Sequence, residues 1–395
     1  MTRANMSTLG NGLRMHLNFA PRDSHESHRA ATMLELLFDL VSVIAIASVA
    51  AGLHHAVADG HAWDGLWTYL AGFFAIWWAW MNYSWFASAY DDDSVGFRLL
   101  TMVIMFGALV MAGGMAQLIA SLDLTMVVIG YVIMRLGMIA LWLGAARGDS
   151  TRRDTAIRYA MGIGLVQVYW LIVGIFGSTE GTAIIWLLLI GIVAELTVPL
   201  FAERSNTTPW HRHHIIERYG LLNIIVLGET LLAGNLALQS SLADGLTVSL
   251  VWIAVCGSII VFALWWLYFC KEDHLVSDRK ADAFAWGYGH FIIFAAGAAV
   301  GAGFAVQVDL ATQHAHTTQL AGDMSVALPM AFYIMGLWLI RDRHIMAGRK
   351  FWLLPGMAVV YVICAFLPFS LTLLSVAAAT TVWLRNSDTL DQKGI

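Results

Sequence analysis

Apolar residues run along this chain in stretches long enough to cross a bilayer, separated by short polar joints. The stretches fall near residues 34–56, 63–89, 97–120, 124–146, 156–176, 182–202, 214–238, 246–269, 282–306, 324–340, 351–367 and 369–385. A hydrocarbon core about 30 Å thick needs roughly 20 helical residues at 1.5 Å each, so the pattern predicts membrane-spanning helices. Twelve are predicted, the last two shorter and meeting at Pro368. The first 30 residues are polar and contain no run of signal-peptide type, which predicts a retained tail at 1–31.

The positive charges turn these segments into a topology. Lys and Arg occupy the N-terminal tail (Arg3, Arg14, Arg22, Arg29) and the second connection (Arg98). They recur at the fourth (Arg147, Arg152, Arg153, Arg158), the sixth (Arg204, Arg212, Arg218) and the eighth (Lys271, Arg279, Lys280). The tenth connection holds Arg341, Arg343, Arg349 and Lys350, and the C-terminal tail Arg385 and Lys393. Odd-numbered connections carry none, so the positive-inside rule predicts that both termini and every even loop are cytoplasmic. The exception is Arg135, deep in the fourth span.

Composition agrees: 59% of residues are hydrophobic and 12% charged, against about 45–50% and 25% in globular proteins. A soluble protein is excluded. The net charge of −5 adds little, because sidedness matters more than the total. Cys256, Cys270 and Cys364 show no paired spacing and read as apolar filler.

An internal repeat organises the chain. Glu35–Leu53 aligns with Glu217–Asn235, matching an acid near the entry and the Ala-Gly pairs at 51–52 and 233–234. Ala75-Ile-Trp-Trp78 parallels Ala263-Leu-Trp-Trp266, and Phe106, Ala108 and Gly113 parallel Phe294, Ala296 and Gly301. Leu141-Trp142-Leu143 parallels Leu337-Trp338-Leu339. Six spans per unit is an even number, which predicts two parallel halves at 32–203 and 214–385, with a linker at 204–213 and a tail at 386–395. Secondary transporters share such architecture, with the substrate path near the midplane.

Three stretches carry a resemblance: LELLFDLVSVIAIASVAAGLHH ending at His54-His55, YDDDSVGFRLL at 90–100, and HHIIERYGLLNIIVLGETLLA at 213–233. In these the chain resembles the bacterial low-temperature-requirement A family. The resemblance implies a multi-pass protein of the bacterial inner membrane, named for growth in the cold. It supplies no reaction and no substrate.

Chemistry is therefore sought in charges within spans, each costing at least about 2.5–3.5 kcal/mol near the bilayer centre. They are Glu35, Asp39, Arg135, Glu195, Glu217, Arg218, Glu229 and His290. Glu35 and Asp39 are four apart and share a helix face, where one of two carboxylates could hold a proton or cation. Arg218 and Glu229 lie about 16 Å apart along one face and cannot pair. The expectation is that Arg135 neutralises Glu229 or Asp39 and leaves the other free to titrate. His290 is a candidate for a relay.

His211, His213, His214 and Glu217, with His25 and His28, invite a metal reading, but their spacing lacks the specificity of zinc motifs and favours solvated histidines. Asp91, Asp93 and Arg98, like Asp278, Arg279 and Lys280, mark short loops that read as helix caps or as locks between conformations. Trp63 and Trp67 read as interface residues. The Trp77-Trp78 and Trp265-Trp266 pairs read as packing or lipid-facing residues, or as cavity lining. Gly297 and Gly301 predict close helix contact.

No phosphate loop, nucleophile elbow or basic aromatic strip occurs, so no cofactor, catalytic residue, metal set or nucleic-acid partner is expected. The expected partners are the bilayer and a small solute or ion. The reading is an all-α integral membrane protein acting as a secondary transporter coupled to protons or ions. The alternatives are an intramembrane enzyme acting on lipid, using Glu35, Asp39 and His214 as acid and base, or a non-transporting sensor or assembly factor.

Overall fold

A computed structural model describes residues 16–24, 26, 29–121, 123–176, 183–241, 245, 247–270, 275 and 279–387. It is 84% helical, and no strand occurs among the described residues. In chain order the main helices are α1 (Met33–Ala58), α2 (Ala62–Tyr90), α3 (Val95–Ser121), α4 (Thr125–Gly148), α5 (Arg153–Phe176) and α6 (Ala183–Ala202). They continue as α7 (Arg212–Ser241), α8 (Val248–Phe269), α9 (Lys280–Ala311), α10 (Gln319–Leu337), α11 (Leu353–Cys364) and α12 (Ser370–Asn386).

Nine helices among the described residues are long and apolar enough to cross a membrane. The apolar pattern of the sequence predicts twelve spans, and the difference has local causes. Helix α2 has the length, at 29 residues, but its tryptophans, tyrosines, Asn82 and serines lower its hydropathy. Helices α11 and α12 have 12 and 17 residues, only about 18 and 26 Å at 1.5 Å per residue. Pro368 cannot continue a helix and Phe369 takes φ of 59°, so the chain turns there. Of the predicted tail, residues 1–15 with His25 and His28 lie outside the described set, as does Asp278.

The chain packs as two compact units: Met1–Ala45 with Ala75–Arg218, and Ile46–Phe74 with Tyr219–Ile395. In the first, α3, α4, α5 and α6 stack as successive antiparallel neighbours on small residues. Gly107 meets Gly130, Gly114 meets Met126, and Gly137 meets Ile104. Gly164 faces Ile139 and Gly174 faces Val128, while Gly162 faces Val198. Small residues allow backbones to approach where lipid offers no hydrophobic drive for association.

An extended strap before α1 crosses the ends of helices in this unit. Phe19 N donates to the Gly144 carbonyl and Arg22 N to that of Ala89. The Arg29 guanidinium donates to the carbonyls of Ser88 and, at 2.7 Å, of Ala87, capping the end of α2. A Cβ at Gly148 would overlap the Phe19 backbone. Gly148→Ala should therefore displace the strap at a cost of about 1–3 kcal/mol. Tryptic cleavage after Arg22 should accelerate, whereas Gly164→Ala, whose Cβ would sit 3.8 Å from Ile139, should leave it unchanged.

In the second unit α9 is the most enclosed span, with 89% of its apolar window buried. The glycines singled out in the sequence make its contacts: Gly301 lies against the Thr230 backbone, and Gly297 against Tyr333 and Val226. Gly113, which the sequence alignment sets against Gly301, has open space around it.

Candidate functional site

Helix α1 begins with a reciprocal cap. Glu35 N donates to Thr32 Oγ1 at 3.2 Å, and Thr32 N donates back to Glu35 Oε2 at 2.8 Å. This fixes Glu35 one turn before Asp39, with both side chains fully buried. Helix α7 presents His214 and Arg218 at the same four-residue spacing. His214 Nε2 lies 3.2 Å from Glu35 Oε2. The Arg218 guanidinium grips Asp39 with two hydrogen bonds, Nη2 to Oδ1 at 2.7 Å and Nη1 to Oδ2 at 2.9 Å. Equal spacing on both helices means that the starts of α1 and α7 run in the same direction.

Helix α2 completes the centre. Trp80 Nε1 donates to Asp39 Oδ1 at 2.6 Å, and Ser84 Oγ accepts from Arg218 at 3.3 Å. Glu217, half-buried, accepts from the Ala31 backbone at 3.2 Å. A bidentate pair with a neutral third donor is the arrangement that makes burial of two charges tolerable.

A second centre lies mid-span among α2, α4, α5 and α6. Glu195 Oε1 accepts from Tyr131 at 2.7 Å and Trp170 at 3.2 Å; its Oε2 accepts from Trp78 at 2.9 Å and Arg135 at 3.2 Å. Arg135 also donates to the Tyr131 hydroxyl. Arg135 therefore pairs with Glu195, correcting the expected pairing with Glu229 or Asp39, and Arg218 is a second cation within the spans. A helical period shows which residues share a face but not which helix that face meets.

Trp77 and Trp78 are buried, whereas Trp265 and Trp266, which the sequence alignment sets against them, are 45% and 54% exposed. The Trp78 indole serves Glu195, so the aligned tryptophans differ in their surroundings.

The loop after α2 is polar and local. Asp91 Oδ1 accepts from Asp93 N at 2.9 Å, and Arg22 Nη1 donates to the Asp91 carbonyl at 3.1 Å. Burial, reinforced by the Glu35 charge, pushes the Asp91 carboxyl up to about 7. Arg98 holds Asp93 through Nε at 2.9 Å and Nη2 at 2.6 Å, an exposed pair. Such pairs add little stability.

The second unit treats its charges differently. His290 Nδ1 lies 2.8 Å from the Trp286 carbonyl and Nε2 3.1 Å from the Tyr268 hydroxyl, with the rings of Tyr219, Trp286 and Phe294 around it. Both ring nitrogens are satisfied, as in a structural core histidine.

Three groups with defined roles are not apparent from the sequence. His54 Nε2 lies 2.6 Å from Asp309 Oδ2. Arg341 donates to the Leu267 and Tyr268 carbonyls at the end of α8, at 2.9 and 3.0 Å. Asp342 accepts from both Arg341, at 2.6 Å, and Arg385, at 3.0 Å. Arg341 reads as a loop cation because helix α10 runs on, through a π turn at Trp338–Asp342, past the end of its apolar run, and Arg385 because it ends the last span. The Arg341-Asp342 dipeptide directly following an apolar span is the signal that marks the first of them.

Glu229 is half-buried in the middle of α7 and has no hydrogen-bond or ion-pair partner among the described residues. The next residues, Thr230 and Leu231, line a cavity of about 150 Å³ with Gly234, Asn235, Ser258 and Phe304. Among the described residues no three His, Cys, Asp or Glu side chains converge as a metal site.

The model of the bacterial low temperature requirement A protein (LtrA) matches residues 30–385. This chain belongs to the LtrA family. The match spans α1 through nearly all of α12, so the Asp39–Arg218 and Arg135–Glu195 centres both lie within the LtrA region. An uncharacterised protein of Rhizobium meliloti (strain 1021) is 26% identical over 344 residues, covering 81% of this LtrA chain and 79% of the relative.

Proposed function

We propose that this LtrA-family chain is a secondary transporter coupled to protons, with the Glu229 carboxylate as the group that exchanges the proton. The observation that carries this reading is the distribution of partners. Asp39 is matched by Arg218, Glu195 by Arg135, and Glu35 by His214, whereas Glu229 has no cation or hydrogen-bond donor among the described residues. An unmatched carboxylate at mid-span is costly as an anion and stable as a neutral acid, so it changes charge when water or solute reaches it. Matched pairs of the Asp39–Arg218 kind fix helix positions instead.

In the same reading the protein sits in a bacterial inner membrane with both termini cytoplasmic, as the sidedness of Lys and Arg favours. Its twelve helices form two parallel six-helix halves, 32–203 and 214–385, and its partners are the bilayer and a small solute or ion. The common direction of α1 and α7 at their starts supports the parallel repeat. The family name connects this activity with growth in the cold.

Purified protein in liposomes under an imposed pH gradient provides the test. Glu229→Gln should fold normally and reduce proton flux to the level of protein-free liposomes. Undiminished flux in this variant would remove Glu229 from the path. If neither protein moves protons or any solute in a broad panel, transport fails, and lipid turnover becomes the assay to run.

A further inference from the structure

Arg135 is fully buried, yet only one of its three guanidinium nitrogens is used. Nη2 serves Tyr131 and Glu195, while Nε and Nη1 have no partner among the described residues. Glu195 is also served by Trp78, Trp170 and Tyr131, so its hydrogen bonds do not call on Arg135 Nε or Nη1. A second orphan belongs to the same unit: Gln167 on α5 is 4% exposed, and neither Nε2 nor Oε1 has a partner among the described residues.

The register of α4 against α5 brings these orphans to one level. Val128 opposes Gly174 and Ile139 opposes Gly164, which sets Arg135 opposite position 167 or 168. Gln167 follows Gly164 by three residues and precedes Gly174 by seven, so it lies on the face of α5 that meets α4. By the same count Arg135 lies on the face of α4 that meets α5. Two buried polar side chains thus share one level mid-span, with three N–H donors on Arg135, two on Gln167 and one carbonyl acceptor unused.

Buried polar groups are almost always paired, so several left unpaired at one level need an account. We propose that Arg135 and Gln167 form a binding site for a small hydroxycarboxylate of glycolate size. The carboxylate accepts from Arg135 Nη1 and Nε and from Gln167 Nε2. The ligand hydroxyl donates to Gln167 Oε1, the one acceptor in the set. A simple carboxylate leaves that acceptor unpaired, and a halide offers neither the geometry nor the donor.

Equilibrium binding to the full-length protein in detergent tests this, by titration calorimetry with glycolate, acetate and chloride. Because no flux is measured, a failure here leaves the Glu229 reading standing, and a failure of transport leaves this one standing. Wild type should bind glycolate saturably, with acetate roughly ten-fold weaker for want of the hydroxyl donor. Gln167→Leu keeps every contact of the Arg135–Glu195 pair and replaces an unpaired amide with an apolar group. It should keep or raise the unfolding temperature while weakening glycolate roughly ten-fold or more. Absence of saturable glycolate binding in wild type overturns the proposal, as does equal binding of glycolate and acetate, or unchanged glycolate binding in a folded Gln167→Leu protein.

Discussion

Arg218→Gln should destabilise the protein by about 3–5 kcal/mol, because it strands the Asp39 carboxylate in a site from which water is excluded. Both partners are fully buried, and the guanidinium supplies two of the three donors that Asp39 receives. Trp80 alone cannot replace them. Asp39→Asn should cost a similar amount, since it leaves a buried cation facing neutral acceptors only, the new amide oxygen and Ser84. The joint variant Asp39→Asn/Arg218→Gln removes both charges and should recover more than half of either single loss. Thermal unfolding in detergent, followed by size-exclusion of the surviving fold, measures all three. Single variants as stable as wild type would show that the pair contributes nothing to the packing of α1 against α7. A double variant no better than the singles would show that the charges matter separately.

Gly130→Val is expected to be nearly as damaging for a different reason. A Cβ at Gly130 would lie 2.5 Å from Met111 N and 2.6 Å from the Gly107 carbonyl oxygen, both backbone atoms of α3. No rotamer change relieves a clash with backbone, so α3 and α4 must separate along their seam. The cost should reach or exceed the upper end of about 1–3 kcal/mol for overpacking. Gly113→Val is the control, because nothing lies within 4 Å of its Cβ direction. A Gly130→Val protein that unfolds at the wild-type temperature would overturn the close-packed seam. Heating runs on the two variants side by side decide the matter.

Several parts of the site are legible in the amino-acid sequence. The intramembrane charges stand out because each is expensive in hydrocarbon, and Glu35, Asp39, Arg218, Arg135 and Glu195 are all buried in the fold. Gly297 and Gly301 stand out because small residues four apart mark close helix contact. Thr32 and Glu35 have the spacing of a capping box, so the same acid that reads as a membrane charge also starts its helix. Other parts are not legible. Gln167 is one glutamine within an apolar helix, and only the register of α4 against α5 reveals its level with Arg135. Arg341 and Arg385 look like loop cations because burial at a helix end depends on which neighbour that end meets.

The sequence by itself determined the class of molecule and its family: apolar segments of spanning length, charges gathered at alternate joints, and motifs running from the first span to the seventh. Those properties follow from local composition and from the energetics of moving residues into lipid, which each segment carries independently of its neighbours. Only the tertiary structure decided the pairings, giving Arg218 to Asp39, Arg135 to Glu195 and His54 to Asp309, and leaving Glu229 without a partner among the described residues. It also decided that Trp78 turns inward to a carboxylate while Trp266 is half-exposed. The physical reason is that a helix's own period sets which residues share a face, whereas the partner of that face is chosen by the packing of the whole bundle.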